Sequence, residues 1–315
     1  MANPAQHPGS RNQIVFGIIL ALLAAIGFSA KAILVKLAYR HPVDAVTLLA
    51  LRMSFSVPFF LAAALWSHHR DDAQSLELKD WGAILGLGFV GYYLSSLLDF
   101  LGLQYISAGL ERLVLFLYPT MVVILSALFL NRPLARQEMM AMGLSYAGIV
   151  LVFVHDFSGV HGSGMALGAG LVFASTLTYS IYLIGVGQVI TRIGTVRFTS
   201  YAMTVASVAT LMQFAFTHPM TAMRQPVSIY TLGLSMAIIS TVLPVFMLSA
   251  SIRLIGSGRA SLLGTIGPVS TIFMAQAFLG EVVSLLQAIG SMLVMAGVVM
   301  IGRRSLNPKK TGFIG

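Results

Sequence analysis

The sequence predicts an all-α membrane protein of ten transmembrane helices, arranged as two inverted five-helix repeats. Three observations predict it. The 315 residues are 57% hydrophobic and only 9% charged, against about 25% charged in a soluble domain, so lipid must solvate most of the surface. The apolar residues fall into ten runs near the length of roughly 20 residues that a spanning helix needs. The second half repeats the residue pattern of the first.

The runs cover 14–39, 44–66, 81–106, 110–130, 137–154, 164–185, 196–217, 230–252, 258–279 and 283–302. The first is too long for a signal-peptide core and no cleavage pattern follows it, so it is expected to stay as a helix. The linkers are short and leave no room for a soluble domain. The expected organisation is a cytoplasmic tail over 1–13, a first five-helix repeat over 14–155, a second over 164–302, and a basic cytoplasmic tail over 303–315.

Orientation follows from the basic residues. With the N-terminus inside, thirteen face the cytoplasm: Arg11, Arg70, Lys79, Arg132, Arg136, Arg192, Arg197, Arg253, Arg259, Arg303, Arg304, Lys309 and Lys310. Four face outward: Lys36, Arg40, Arg112 and Arg224. This excess of inner Lys and Arg predicts two cytoplasmic termini in the cell (inner) membrane. It also accounts for the net charge of +9 without invoking nucleic acid.

An offset of 149 residues places Ile106, Gly109, Leu113, Pro119, Phe129, Ala147, Gly148 and Val150 on Ile255, Gly258, Leu262, Pro268, Phe278, Ala296, Gly297 and Val299. An offset of 150 matches Val46 and Met53 with Val196 and Met203, and one of 151 matches Gly17, Leu20, Ser29 and Ile33 with Gly168, Leu171, Ser180 and Ile184. Five spans per copy is an odd number, so the second copy enters the membrane inverted. That plan is common in secondary transporters, with the site near the midplane between the copies.

These motifs carry a family resemblance. Gly102-Leu103, Ile106-Ser107-Ala108-Gly109 and Pro119 recur as Ile255-Gly256-Ser257-Gly258 and Pro268, and Phe278-Leu279-Gly280-Glu281 closes the ninth run. Over about 14–302 the chain resembles the drug/metabolite transporter superfamily in its EamA-type branch. It departs from that pattern at Asn131-Arg132, in place of Gly-Glu, and at Phe28, where many members carry Trp. The resemblance implies alternating access, with one half-bundle rocking against the other around a central cavity. It specifies a superfamily and no substrate.

Ionisable groups inside spans cost at least about 2.5–3.5 kcal/mol on insertion scales, so they need a partner, water or a function. The candidates are Lys31, Arg52, Asp99, Glu111 and Arg112, all in the outer half of the first repeat. Their counterparts in the second repeat are Tyr182, Ala202, Leu248, Ala260 and Ser261, none charged. A purely structural role is expected in both copies, so the asymmetry favours a site or an outer gate. Lys31 and Asp99 are the deepest, and are expected to form one network that lines the transport path or couples ions. Glu111 with Arg112 reads either as a structural or gating pair near the water interface or as part of the site. Arg52 resembles an arginine common in the second span of the family and reads as an anchor or a site residue. Lys36 is expected to snorkel outward.

Tyr92, Ser95, Ser96 and Asp99 follow a helical spacing of i, i+3, i+4 and i+7, which puts them on one face toward a cavity or another helix. Tyr179, Tyr182 and Phe28 are candidate aromatic walls, with helix packing as the alternative reading. Ser240, Thr241 and Pro244 are expected to loosen the eighth run. Gly82-x-x-x-Gly86 and Gly164-x-x-x-Gly168 are expected to permit close helix packing.

The seven His, namely His7, His41, His68, His69, His155, His161 and His218, lie in expected tails or loops and form no metal pattern. With no Cys, thiolate chemistry and Cys-ligated metals are excluded. No Gly-Lys-Ser/Thr phosphate loop is present, which excludes ATP-driven transport within this chain. The expected protein is not an enzyme, carries no cofactor, and is a monomer, with a dimer as the alternative. It meets a small-molecule substrate and membrane lipid. Amino acids or related compounds, moved outward, are the expected substrates. Organic anions or drug-like solutes are the alternative, and a non-transporting membrane sensor or scaffold is the reading from a different class.

Overall fold

A computed structural model describes residues 11–68, 76–129, 134–157 and 164–305. The helices are labelled in chain order. They are α1 Arg11–Ala38, α2 Ala45–His68, α3 Leu78–Gly102, α4 Ala108–Phe129, α5 Arg136–Phe157, α6 Met165–Ile193, α7 Thr195–Thr217, α8 Val227–Ile255, α9 in two pieces Ser257–Leu263 and Ile266–Leu279, and α10 Leu285–Ser305. No strand occurs among the described residues. Arg70, Arg132, Lys309, Lys310, Asn131, His7, His69 and His161 lie outside the described residues.

Eight helices, α1 to α6, α8 and α10, are long and apolar enough to cross a membrane. Large apolar side chains such as Leu65, Phe129, Phe216 and Phe273 are exposed on the bundle, as a lipid-facing surface requires. The two other apolar runs differ from simple spans for physical reasons. Helix α7 carries Thr199, Ser200, Ser207 and Thr210, all buried. The Ser207 and Thr210 hydroxyls donate to the carbonyls of Met203 and Ala206 at 2.8 Å, one turn earlier. Much of its polarity therefore faces inward, while its composition falls below that of a plain span. Helix α9 is interrupted at Gly264 and Thr265.

The backbone irregularities recur. Helix α4 consists of Ala108–Leu115 and Tyr118–Phe129, and α9 breaks at the positions 149 residues later. Pro119 and Pro268 account for both breaks: a proline has no N–H, which frees the carbonyls of Leu115 and Gly264 one turn before. A π-helical turn at Phe89–Leu94 in α3 has its counterpart, at the same offset, in Ile238–Val242 of α8. The second lies just ahead of Pro244, so the expected loosening of the eighth run takes the form of a π turn.

Contacts between the halves recur too. Helix α1 packs against α8, α9 and α4, and α6 packs against α3 and α4, while α2 lies on α7 and α5 on α10. The Ser29 hydroxyl donates to the Gly267 carbonyl at 2.9 Å, and Ser180 donates to the Tyr118 carbonyl at 3.3 Å. These are equivalent pairs under the repeat offsets. Gly102 and Gly168 meet backbone to backbone, and at the matching place the Ser251 hydroxyl donates to the Gly17 carbonyl at 2.8 Å.

One glycine reading needs correction. Gly168 does permit a close approach, to Gly102 and Tyr105, and Gly164 turns with φ +110° against Tyr105. Gly82 and Gly86 instead look onto open space, with nothing within 4 Å of a Cβ at either. Among the described residues, no other helix packs closely at these two positions.

Gly27 supplies the tightest test of the packing. A Cβ there stands 2.6 Å from the Pro244 side chain and 2.7 Å from the Ile239 carbonyl, at the π turn of α8. Gly27→Leu is expected to cost about 1–3 kcal/mol through overpacking. Gly86→Leu is expected to leave thermal unfolding in detergent unchanged or slightly raised. Equal melting temperatures for the two variants would show that the α1–α8 contact is not tight.

Candidate functional site

The buried charges sit where α1, α3 and α4 meet. Lys31, on α1, extends its ammonium to Asp99 Oδ2 at 2.5 Å and to Glu111 Oε1 at 2.9 Å. Asp99 and Glu111 are 2% and 0% exposed. Three elements of the local sequence place them. The π turn ahead of Asp99 resets the helical phase of α3. The Ser107 hydroxyl caps α4 by accepting from the Leu110 N–H at 3.1 Å. The Lys36 ammonium donates to the carbonyls of Leu103 and Ile106, at 3.2 and 3.0 Å, and fastens the turn between α3 and α4.

Lys36 thus meets carbonyls that the turn between α3 and α4 leaves open. Glu111 does not pair with Arg112 at a water interface. It is fully enclosed and turned toward Lys31. The Lys31–Glu111 contact is an ion pair without hydrogen-bond alignment, so both Glu111 oxygens and Asp99 Oδ1 lack a directed donor. One ammonium is thus shared by two buried carboxylates.

The two arginines lie on other sides of this group. Arg52 of α2 donates from Nε to the Thr241 hydroxyl at 2.9 Å, and its guanidinium carbon lies 5.5 Å from the Phe100 ring centre. Thr241 passes its own proton to the Met236 carbonyl, which the π turn of α8 leaves available. Arg112 points toward α9, where it lies against Gly267.

Tyrosines of both halves form the adjoining wall. The Tyr182 hydroxyl donates to the Tyr92 hydroxyl at 2.8 Å with ring centres 4.9 Å apart, Tyr179 stacks on Tyr182 at 5.5 Å, and Tyr118 meets Tyr179 edge-on at 5.9 Å. Tyr92 and Ser95 thus face α6, the latter through a 3.1 Å contact between the Ser95 and Ser175 hydroxyls, while Asp99 faces α1 and α4. The straight polar stripe read from the sequence is split because a π turn runs through it. Lys31, Tyr92, Ser96, Arg112, Tyr118 and Tyr179 all keep part of their surface exposed. Phe28 is half-buried on α1, one turn before Lys31, and makes no ring contact with the tyrosines among the described residues.

Sequence reasoning left out three participants. Tyr118 completes the aromatic wall, Thr241 anchors Arg52, and the Glu281 carboxylate reaches from the end of α9 to the N–H groups of Ala108 and Gly109, at 3.1 and 3.4 Å. Glu281 lies in the Leu-Gly-Glu motif, which was the available signal. A further ion pair joins Asp80 of α3 to Arg192 of α6, between the two halves.

Removing Lys31 leaves two buried carboxylates facing each other. Stripping a buried charge of its partner costs about 3–5 kcal/mol in soluble proteins. Lys31→Met is therefore expected to lower folded yield and melting temperature more than Asp99→Asn, because the latter keeps the Glu111 ion pair. The triple variant K31M/D99N/E111Q should fold better than K31M alone. A melting temperature of K31M equal to that of the parent would mean that the trio carries no net electrostatic constraint.

The EamA-like transporter family matches the chain twice, over residues 15–154 and 166–303. Uncharacterized transporter YcbK of Bacillus subtilis is 29% identical over 293 residues, 91% of this chain and 92% of that protein. Uncharacterized transporter sll1319 of Synechocystis is 22% identical over 94% of this chain and 96% of its own length. A solved crystal structure of another protein superposes with a TM-score of 0.65 at 18% identity, covering 92% of this chain and 98% of that one, which shows a shared fold. Two family matches along one chain, on a multi-pass helical bundle with a buried charge cluster, lead to one conclusion: this protein belongs to the EamA-like transporter family.

Proposed function

We propose that the protein is a secondary transporter that moves small metabolites across the cytoplasmic membrane by alternating access, exporting amino acids or related compounds. The observation that carries this reading is the placement of the buried charges and the tyrosine wall. Charges from α1, α3 and α4 of the first half meet tyrosines from α6 of the second, so a molecule held there touches both halves. Expensive intramembrane charges belong at such a path.

In this reading the chain crosses the membrane ten times, with α7 and the broken α9 included, as two inverted repeats bounded near 14–155 and 164–302. The recurrence of π turns, proline breaks and reciprocal hydrogen bonds at fixed offsets supports the repeat. Inversion follows from five spans per copy. Thirteen inner against four outer basic residues support cytoplasmic termini. An organic-anion substrate is the second reading, favoured by one feature: Lys31, Arg52 and Arg112 outnumber Asp99 and Glu111.

Two measurements test the proposal. A reporter active only in the cytoplasm, fused after Gly315, should be active; an inactive reporter on a well-expressed fusion sinks the orientation. Purified protein in proteoliposomes loaded with labelled amino acids should release at least one of them faster than protein-free vesicles do. Asp99→Asn should slow that release at least tenfold while still folding. Release at the protein-free rate for every amino acid and organic anion offered rejects the transport reading for those classes.

A further inference from the structure

Three cations lie in this cluster, and two of them meet an anion or an acceptor, although Nη1 of Arg52 has none among the described residues. Lys31 stands between two carboxylates, and Arg52 is tied to Thr241 and packed on Phe100. Arg112 makes no ion pair and no hydrogen bond among the described residues. Its Nε is enclosed without an acceptor. A guanidinium carries five donors in a planar fork and stays charged at any physiological pH. Enclosing part of one without an anion is costly.

The surroundings keep the arginine in place and leave its acceptor position vacant. Gly267 lies at the start of the second piece of α9, and any Cβ there would collide with the guanidinium. The Phe116 ring lies 5.8 Å from the guanidinium carbon, and Tyr118 and Tyr179 stand within its field. From Tyr179 the aromatic wall continues to Tyr182 and Tyr92. Glu111 is the neighbouring residue in sequence, yet it is turned to Lys31.

We propose that Arg112 is the specificity-determining residue, receiving a carboxylate group of the transported molecule, and that the Tyr118–Tyr179–Tyr182 wall covers the apolar body of that molecule. The inference rests on the transporter reading above and narrows it: the cargo must carry a carboxylate. An ammonium group on the cargo is not required. Helix α4 supplies the arginine and α6 supplies Tyr179 and Tyr182, so the recognition site spans the two halves.

The test uses the full chain in detergent and in proteoliposomes. The probes are the proteinogenic amino acids, each beside its carboxamide and its N-acetyl derivative. These hold the side chain constant while removing the carboxylate or the ammonium charge. Binding is read as a shift in melting temperature across a concentration series, and transport as release from loaded vesicles. For any side chain that binds, the acid and its N-acetyl derivative should bind at least tenfold more tightly than the carboxamide. Arg112→Gln, verified as folded by its melting curve, should bring acid and carboxamide within twofold of each other. Arg112→Lys should keep part of the preference, since a point charge replaces the fork; it also serves as the test variant if Arg112→Gln does not fold. Carboxamides that bind or move as well as their acids overturn the assignment of Arg112 and leave transport itself standing. So does a preference for acids that survives in the folded Arg112 variants. A parent protein that binds and moves no probe overturns both this inference and the proposal that amino acids are the cargo.

Discussion

The constraint on which the arrangement depends is the cost of holding Lys31, Asp99 and Glu111 inside a lipid-embedded bundle. Asp99 and Glu111 cannot reach bulk water without breaking the packing of α1, α3 and α4, and the Lys31 side chain is only 16% exposed. Each carboxylate needs the ammonium, and the ammonium can approach both only if α4 begins close beside the end of α3. The intervening turn is therefore held from outside itself. Lys36 takes its carbonyls, Ser107 caps the first turn of α4, and Glu281 takes the N–H groups of Ala108 and Gly109 from across the bundle. A charge cluster of three residues thus fixes the ends of four helices.

The second requirement is that irregular backbone be satisfied, since lipid offers it no partners. The π turns and the proline breaks all lie against neighbouring helices. At the π turn of α8, the freed Met236 carbonyl accepts from both Ser240 and Thr241, and Thr241 in turn accepts from Arg52. The irregularity thereby becomes the anchor of a buried arginine. At the break in α9 the absence of a side chain on Gly267 admits the guanidinium of Arg112. Sequence features that weaken a helix are the places where this protein seats its cations.

Much of this was legible in the residues. The apolar runs reported the helices because lipid selects composition over whole segments. The offset pairs Pro119 with Pro268 and Ser29 with Ser180 correspond to matching breaks and matching hydrogen bonds. Depth and opposite sign brought Lys31 to Asp99, and the contact is there. The failures have specific causes. A helical wheel assumes a constant 3.6-residue period, and the π turn at Phe89–Leu94 shifts the phase between Tyr92 and Asp99. Composition also cannot tell which face a polar residue takes, so α7 reads as a weaker span although the hydroxyls of Ser207 and Thr210 are buried and bonded to its own backbone. The fate of a long side chain such as Lys36 or Glu281 depends on which backbone groups a neighbouring turn leaves open, and no local pattern encodes that.

The two halves share a scaffold but divide the chemistry. Where the first half has Lys31, the second has Tyr182, and where the second has Thr241, the first has Tyr92. One pseudo-equivalent position is therefore charged and the other aromatic: Tyr182 bonds to Tyr92, whereas Lys31 pairs with Asp99 and the counterpart of Tyr92, Thr241, bonds to Arg52. A symmetric pair of charged sites would double the cost of burial and hold a cargo in two equivalent places. A single composite site avoids both. It also has a mechanical consequence. A ligand shifts a conformational equilibrium only through a difference in its affinity for the two states. A ligand bound by α4 of one half and α6 of the other changes its contacts whenever the halves move relative to each other. In the proposed transporter, division of the site between unlike halves is thus the property that lets binding and movement influence one another.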